Sequence, residues 1–420
     1  MCDICLHSCA IFRMRSTSRA LEKTTDISRF EDLGLKPALL RALADMQFTT
    51  PTPIQVQAIP PAMEGRDVLA SAQTGSGKSA AFGLPILDAL LDLPRGKTRA
   101  LILAPTRELA DQICTHLRLL AKHTDIRVAS VYGGVAAGPQ ITALRTGADI
   151  VVATPGRLWD HMQSGKAPLR DVTTVVLDEA DRMLDIGFLP IVRRILSRIE
   201  SVQQILFFSA TMPPAVHGLV KDILVDPVRV ELALEARNVE TLTQTLYAVP
   251  QEHKTALFLE LLKDDSISSA IAFTRTKARA NRLAIALQRA KIPVALMHGD
   301  RSQGQRERAL EHIKHGRVRV LVATDIAARG IDIHQLGHVV NYDVPMAPED
   351  YVHRVGRTAR AQAAGDAITF AADDEEPLIR RIEHIIGKRI ERSVNPLFPE
   401  ATVEAPKPRM VYQSKVRRRR

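Results

Sequence analysis

A chain of 420 residues with 45% hydrophobic content can bury two cores of ordinary domain size, and its formal charge of +10 favours a polyanionic partner. Its 4 cysteines exclude a disulfide scaffold and 4% aromatic content argues against a separate base-stacking nucleic-acid module. Residues 4–12 lack the basic lead and sustained apolar core of an export signal, and no stretch approaches the ~20 apolar residues of a membrane span, so a cytoplasmic protein that avoids membranes is expected.

Residues 1–27 read as a disordered N-terminal extension. Within it, Cys2, Cys5 and Cys9 with His7 lack the longer loop that separates the ligand pairs of structural zinc sites. Residues 1–13 read as an upstream start or a disordered extension, and Met14 begins a more ordinary lead-in toward Phe30. Next come Phe48-Thr49-Thr50-Pro51-Thr52-Pro53-Ile54-Gln55 and then an apolar run, Asp67-Val68-Leu69-Ala70. That run leads into Ala72-Gln73-Thr74-Gly75-Ser76-Gly77-Lys78-Ser79. A Gly-Ser-Gly alone is a flexible turn. After a strand and before a helix, its backbone N–H groups can wrap phosphate oxygens, with Lys78 on the outer phosphates and the Ser79 hydroxyl on magnesium.

Pro105-Thr106-Arg107-Glu108-Leu109-Ala110, Gly133-Gly134 and Thr154-Pro155-Gly156-Arg157 each follow a strand-like run, and Cys114 falls on a helical pattern as a core residue. The apolar Thr173-Thr174-Val175-Val176-Leu177 ends in Asp178-Glu179-Ala180-Asp181. There Asp178 can hold magnesium through its waters and Glu179 can orient and deprotonate an attacking water. Ser209-Ala210-Thr211 follows the strand-like Gln204-Ile205-Leu206-Phe207-Phe208 and carries no weight alone.

Residues 231–244, which lack a strand-like run, contain the linker. The second half repeats the strand and helix rhythm through Ala270-Ile271-Ala272-Phe273-Thr274-Arg275, Met297-His298-Gly299-Asp300 with Gln303 and Arg306, and Val320-Leu321-Val322-Ala323 before Thr324-Asp325. In Tyr351-Val352-His353-Arg354-Val355-Gly356-Arg357-Thr358-Ala359-Arg360, Arg357 and Arg360 lie one helical turn apart and share a face. The end of the chain holds Lys407, Arg409, Lys415 and Arg417 to Arg420, a basic tail expected to be disordered and to hold a polyanion electrostatically.

From Phe30 to Arg360, in this order, these strings resemble the motifs of the DEAD-box RNA helicases, the stretch from Met297 to Gln305 being most similar to the bacterial RhlE-type branch. The resemblance implies an α/β fold of two tandem RecA-like domains, each a parallel sheet flanked by helices, at residues 28–232 and 244–390, joined by a linker at 233–243 and followed by a basic tail at 391–420. It implies that Gln55, with Phe30 and Phe48, reads adenine, because a glutamine amide sets a donor beside an acceptor and an aromatic ring stacks on a base. ATP and Mg2+ would occupy residues 72–79, with Asp332 near the ribose. Gln47 and Ala359 stand where the family usually has glycine. Arg107, Gly134, Thr154, Gly156, Arg157, Arg275, Gln303, Arg306 and Thr324 are assigned to RNA, in sugar-phosphate contacts without base information. Ser209, Thr211, Asp181 and His353 couple hydrolysis to strand separation, the hydroxyls bonding the carboxylates of residues 178–181. Arg357 and Arg360 would stabilise charge on the phosphate in flight, worth about 10³ in rate. The implied activity is RNA-stimulated ATP hydrolysis with local duplex opening, in ribosome assembly or RNA decay. A DNA translocase and a non-catalytic RNA clamp are the alternatives, and the RNA target is invisible.

Overall fold

Strands buried on both faces read as continuous apolar runs, and in both halves these runs form parallel sheets. The computed structural model describes residues 27–72, 76–231, 243–325, 336–356 and 366–397. They divide into two compact units, one up to Glu231 and one from Thr243 onward.

The first unit contains β1 (Val68–Ser71), β2 (Ala100–Leu103), β3 (Val128–Val131), β4 (Ile150–Ala153), β5 (Thr174–Leu177), β6 (Gln204–Ser209) and β7 (Val228–Glu231). They form one sheet in the order β3-β4-β2-β5-β6-β1-β7, every pairing parallel. Alternate residues serve opposite faces. Ala70, Ile102, Val176 and Phe208 pack toward the helices Pro53–Met63, Lys78–Leu90 and Arg107–Leu120, while Leu69, Leu101, Val175 and Phe207 pack toward Pro155–Gln163, Leu189–Leu196 and Pro214–Ile223. The helix starts are locally encoded. Thr106 Oγ1 accepts from Leu109 N at 3.3 Å, and Pro53 holds the first position of its helix.

Cys114 is fully buried between that first set of helices and the sheet, and burial pushes its thiol up to about 11. Thiolate is the reactive form, so Cys114 in the native protein is expected to resist a maleimide and to react only after denaturation, read by intact mass.

The second unit contains β8 (Thr243–Ala248), β9 (Ala270–Thr274), β10 (Val294–Met297), β11 (Val320–Thr324), β12 (His338–Asn341), β13 (Asp366–Ala371) and β14 (Glu391–Ser393). Their order is β10-β11-β9-β12-β13-β8-β14, again all parallel. Two expected boundaries move. Thr243 opens β8 rather than closing the linker. Residues 391–397 belong to this unit rather than to the tail, because β14 pairs with β8, Arg392 pairs with Glu376 and Glu383, and buried Asn395 donates to Ala248 O at 3.0 Å. Among the described residues no helix is long and apolar enough to cross a membrane, and no group of His, Cys, Asp and Glu could hold a metal by itself. Cys2, Cys5, His7 and Cys9 lie outside them.

Candidate active site

In a parallel sheet every strand presents its C-terminal end at one edge, where α/β proteins bind ligands. The first sheet splits that edge in two. The neighbours β5, β6 and β1 carry Asp178 and Glu179, Ser209 to Thr211, and the approach to Lys78. The neighbours β3, β4 and β2 carry Gly133 and Gly134, Thr154 to Arg157, and Arg107.

On the first side, Lys78 opens the helix Lys78–Leu90 and is 6% exposed. Its Nζ donates to Ala72 O at 3.1 Å and lies 3.7 Å from Asp178 Oδ1. Gly77 before it is left-handed, with φ 94°, and a Cβ there would stand 2.6 Å from Gln55 Nε2 and 2.8 Å from Thr52 Oγ1. Gln55 is buried and spans the two segments: its Oε1 accepts from Thr52 N at 2.8 Å and its Nε2 donates to Gly77 O at 3.1 Å. One N–H and one lone pair of the amide remain for a base. Thr52 Oγ1 adds a bond to Ser76 O at 2.8 Å.

The aromatics divide differently from the expectation. Phe30 is 3% exposed in the core, so its ring serves packing in this structure, whereas Phe48 is half-buried with its ring centroid 6.0 Å from that of His116. Gln47 has φ 58°, which is why glycine suits that position. Gln73, Thr74, Gly75, Asp332, Arg357, Ala359 and Arg360 lie outside the described residues.

Asp178 is 2% exposed, and burial pushes its carboxyl up to about 6 despite the Lys78 ammonium. Its Oδ1 accepts from Glu179 N at 3.0 Å. Glu179 itself sits in the left-handed region at φ 52°, ψ 53°, an arrangement that costs a non-glycine residue about 1–2 kcal/mol. Its carboxylate is held by Arg182 NH1 at 2.5 Å, both side chains being buried. Arg182 lies outside the tetrapeptide, and its spacing of three from Glu179 at a helix start is the signal in the sequence that points to it. Half-exposed Ser79 and buried Asp178 offer the hard oxygens magnesium takes, and a dication restores the charge that burial disfavours on Asp178.

Asp181 ties β5 to the loop after β6. Its Oδ2 accepts from both Thr211 N and Thr211 Oγ1 at 2.9 Å, and its own N donates to Ser209 Oγ at 3.1 Å.

On the second side, Arg107, Gly134 and Arg157 come together. A Cβ on Gly134, which has φ 83°, would stand 1.8 Å from Arg107 NH1, and Arg157 NH1 donates to Val135 O at 3.2 Å. Thr154 is buried at the start of the helix Pro155–Gln163, and Gly156 lies in its first turn with room around it. Gly134→Ala forces both a strained φ and displacement of the guanidinium. We expect it to weaken single-stranded RNA about tenfold, ~1.4 kcal/mol, with Arg107→Ala losing as much and the double variant little more, measured by fluorescence anisotropy.

In the second unit, Arg275 follows β9 and its NH2 is already engaged, donating to Glu375 Oε1 at 2.7 Å and Val344 O at 3.2 Å. Thr324 ends β11 beside Thr274 and is 8% exposed, Arg306 is 7% exposed, and His353 is half-buried on the helix Pro348–Val355. Gln303 begins the helix Gln303–Lys314. The residue missed here is Arg354. It is 2% exposed and grips both Asp325 oxygens, at 2.6 and 2.8 Å.

Residues 52–219 match the DEAD/DEAH box helicase family and residues 253–362 the helicase conserved C-terminal domain. The chain is 43% identical over 387 residues to the ATP-dependent RNA helicase SrmB of Escherichia coli (strain K12), covering 91% of this chain and 87% of that protein. It is 40% identical over 372 residues to the DEAD-box ATP-dependent RNA helicase CshA of Bacillus subtilis (strain 168), covering 89% and 75%. The structure of S. cerevisiae Dbp5 bound to RNA and ADP BeF3 superposes with a TM-score of 0.80 at 32% identity, covering 87% of this chain and 95% of that one. The fold is thus that of the tandem RecA-like domains, and the chain belongs to the DEAD-box ATP-dependent RNA helicases.

Proposed function

We propose that the chain hydrolyses ATP when RNA is bound and uses the cycle to open short duplexes or remodel RNA–protein complexes locally, without long translocation. The observation that carries this reading is the divided edge of the first sheet, with Lys78, Asp178 and Glu179 at β5-β6-β1 and Arg107, Gly134 and Arg157 at β3-β4-β2. SrmB and CshA, named as RNA helicases, and the RNA and ADP BeF3 in the Dbp5 structure support it.

Lys78 holds the outer phosphates and Gln55, bonded to Gly77, links the base position to the phosphate loop. Glu179 orients a water and accepts its proton, with Arg182 fixing the carboxylate. Magnesium, held by Ser79 and through water by Asp178, would supply charge neutralisation at the phosphates. Asp181, Ser209 and Thr211 form the link between the hydrolytic loop and the loop after β6, and Arg357 and Arg360 are the arginines we assign to the transferring phosphate. We assign residues 28–232 and about 243–397 as the two helicase domains, with the tail after them as a non-specific RNA holder. A cytoplasmic setting, ribosomal precursors or decay complexes as substrates, and an RhlE-type subclass belong to the same reading.

The test is steady-state ATP hydrolysis alone, with single-stranded RNA and with the matching DNA, beside Lys78→Ala and Glu179→Gln. Stimulation by RNA only, lost in both variants, is expected. Equal stimulation by DNA would replace the reading with a translocase, and ATP-dependent RNA retention without turnover would replace it with a clamp.

A further inference from the structure

Among the described residues β10 pairs only with β11, so one side of its backbone hydrogen-bonding groups faces no strand. A groove of about 330 Å³ runs along that edge. Val294, Ala295 and Leu296 form its floor, and Arg301, Arg308 and His312 its basic wall, with no acidic residue in the lining. The Nε of Arg301 is buried there without a hydrogen-bond partner.

Topology decides what each face of an added strand would meet. The chain crosses from β9 to β10 through the helix Lys277–Arg289 and returns from β10 to β11 through the helix Gln303–Lys314. Right-handed crossovers in opposite directions place the two helices on opposite faces of the sheet. Val294 and Leu296 accordingly pack with Leu283 and Leu287 of the first helix, which leaves Ala295 toward the second. On the first face Val294 and Leu296 themselves are only half-buried, with Gln288 of the first helix at the rim. On the second face stand Arg308 and His312, while Glu307 and Glu311 fall on the other side of that helix.

We propose that this edge is a docking site for an extended segment of a partner protein in which apolar and acidic side chains alternate, added beside β10 as a further strand. Successive side chains of such a segment point to opposite faces, so the apolar set lies beside the half-buried Val294 and Leu296 and the acidic set meets Arg301, Arg308 and His312. RNA fits less well, because a phosphate backbone makes no strand ladder with the open side of β10. The chain's own tail carries the same sign of charge as the groove and is no candidate.

The probe is an acetylated, amidated nonapeptide alternating glutamate with valine or leucine, titrated calorimetrically into the full-length protein. Its controls are a lysine-for-glutamate version and an isomer with all glutamates at one end. The alternating acidic peptide is expected to bind with Kd near ~10 µM, to add exchange protection at Val294–Leu296, and to weaken at least tenfold against Arg301→Glu with Arg308→Glu. The gentler Arg301→Gln with Arg308→Gln should lose about threefold. Equal binding of the blocked isomer, indifference to charge reversal, or no binding at all would overturn the proposal. Complete displacement by oligouridylate would also overturn it and give the groove to RNA.

Discussion

Glu179→Gln is expected to lower RNA-stimulated ATP hydrolysis by about 10²–10⁴-fold while ATP and RNA still bind, measured by single-turnover hydrolysis beside fluorescent-nucleotide binding. The substitution is nearly isosteric and leaves the left-handed turn at φ 52° available, so what it removes is the proposed acceptor for the water's proton. It also removes the charge paired with Arg182, a residue 5% exposed. An added stability loss of ~1–3 kcal/mol in the first unit is therefore expected. The two effects separate cleanly. Arg182→Gln shares the stability loss but keeps the proton acceptor, so its rate should fall far less than that of Glu179→Gln. Retention of more than a tenth of the normal rate by Glu179→Gln would remove Glu179 from its role as base.

The fold was legible because its signals are local. Buried parallel strands such as Leu101–Leu103 and Val320–Ala323 read as unbroken apolar runs, and the turns after them hold glycine, proline and capping hydroxyls where the backbone needs them. The site strings were legible because each lies at a strand end. What sequence could not show is which polar groups satisfy one another. Nothing in Gln55 announces that its amide is shared between Thr52 and Gly77, and Phe30 looks the same in a string whether it faces a base or the core. Nor do Gln47 and Gly134 announce their backbone in the string. Gln47 stands where the family usually has glycine and Gly134 keeps the family's glycine, and both positions are left-handed, with φ of 58° and 83°.

The second large effect lies in a residue that the motif reading passed over. Arg354→Met is expected to destabilise the second unit by ~3–5 kcal/mol, moving its urea transition while the first unit's transition stays in place. The reason is the number of groups this one guanidinium satisfies. It makes a two-pronged ion pair with Asp325, donates through NH1 to Asn341 Oδ1 at 3.1 Å and Asp343 O at 2.7 Å, and lies 5.0 Å over the Phe273 ring. It thereby fastens the helix Pro348–Val355 to the end of β11, one residue beyond Thr324. Lysine supplies one point charge rather than a planar fork, so Arg354→Lys should recover little. Adding Asp325→Asn to Arg354→Met removes the carboxylate left without its partner and should restore part of the loss. If Arg354→Met leaves the urea profile unchanged, the fork carries no stability. If the double variant is as stable as the native protein yet fails to hydrolyse ATP with RNA, the pair matters for the cycle itself and not only for holding the domain together.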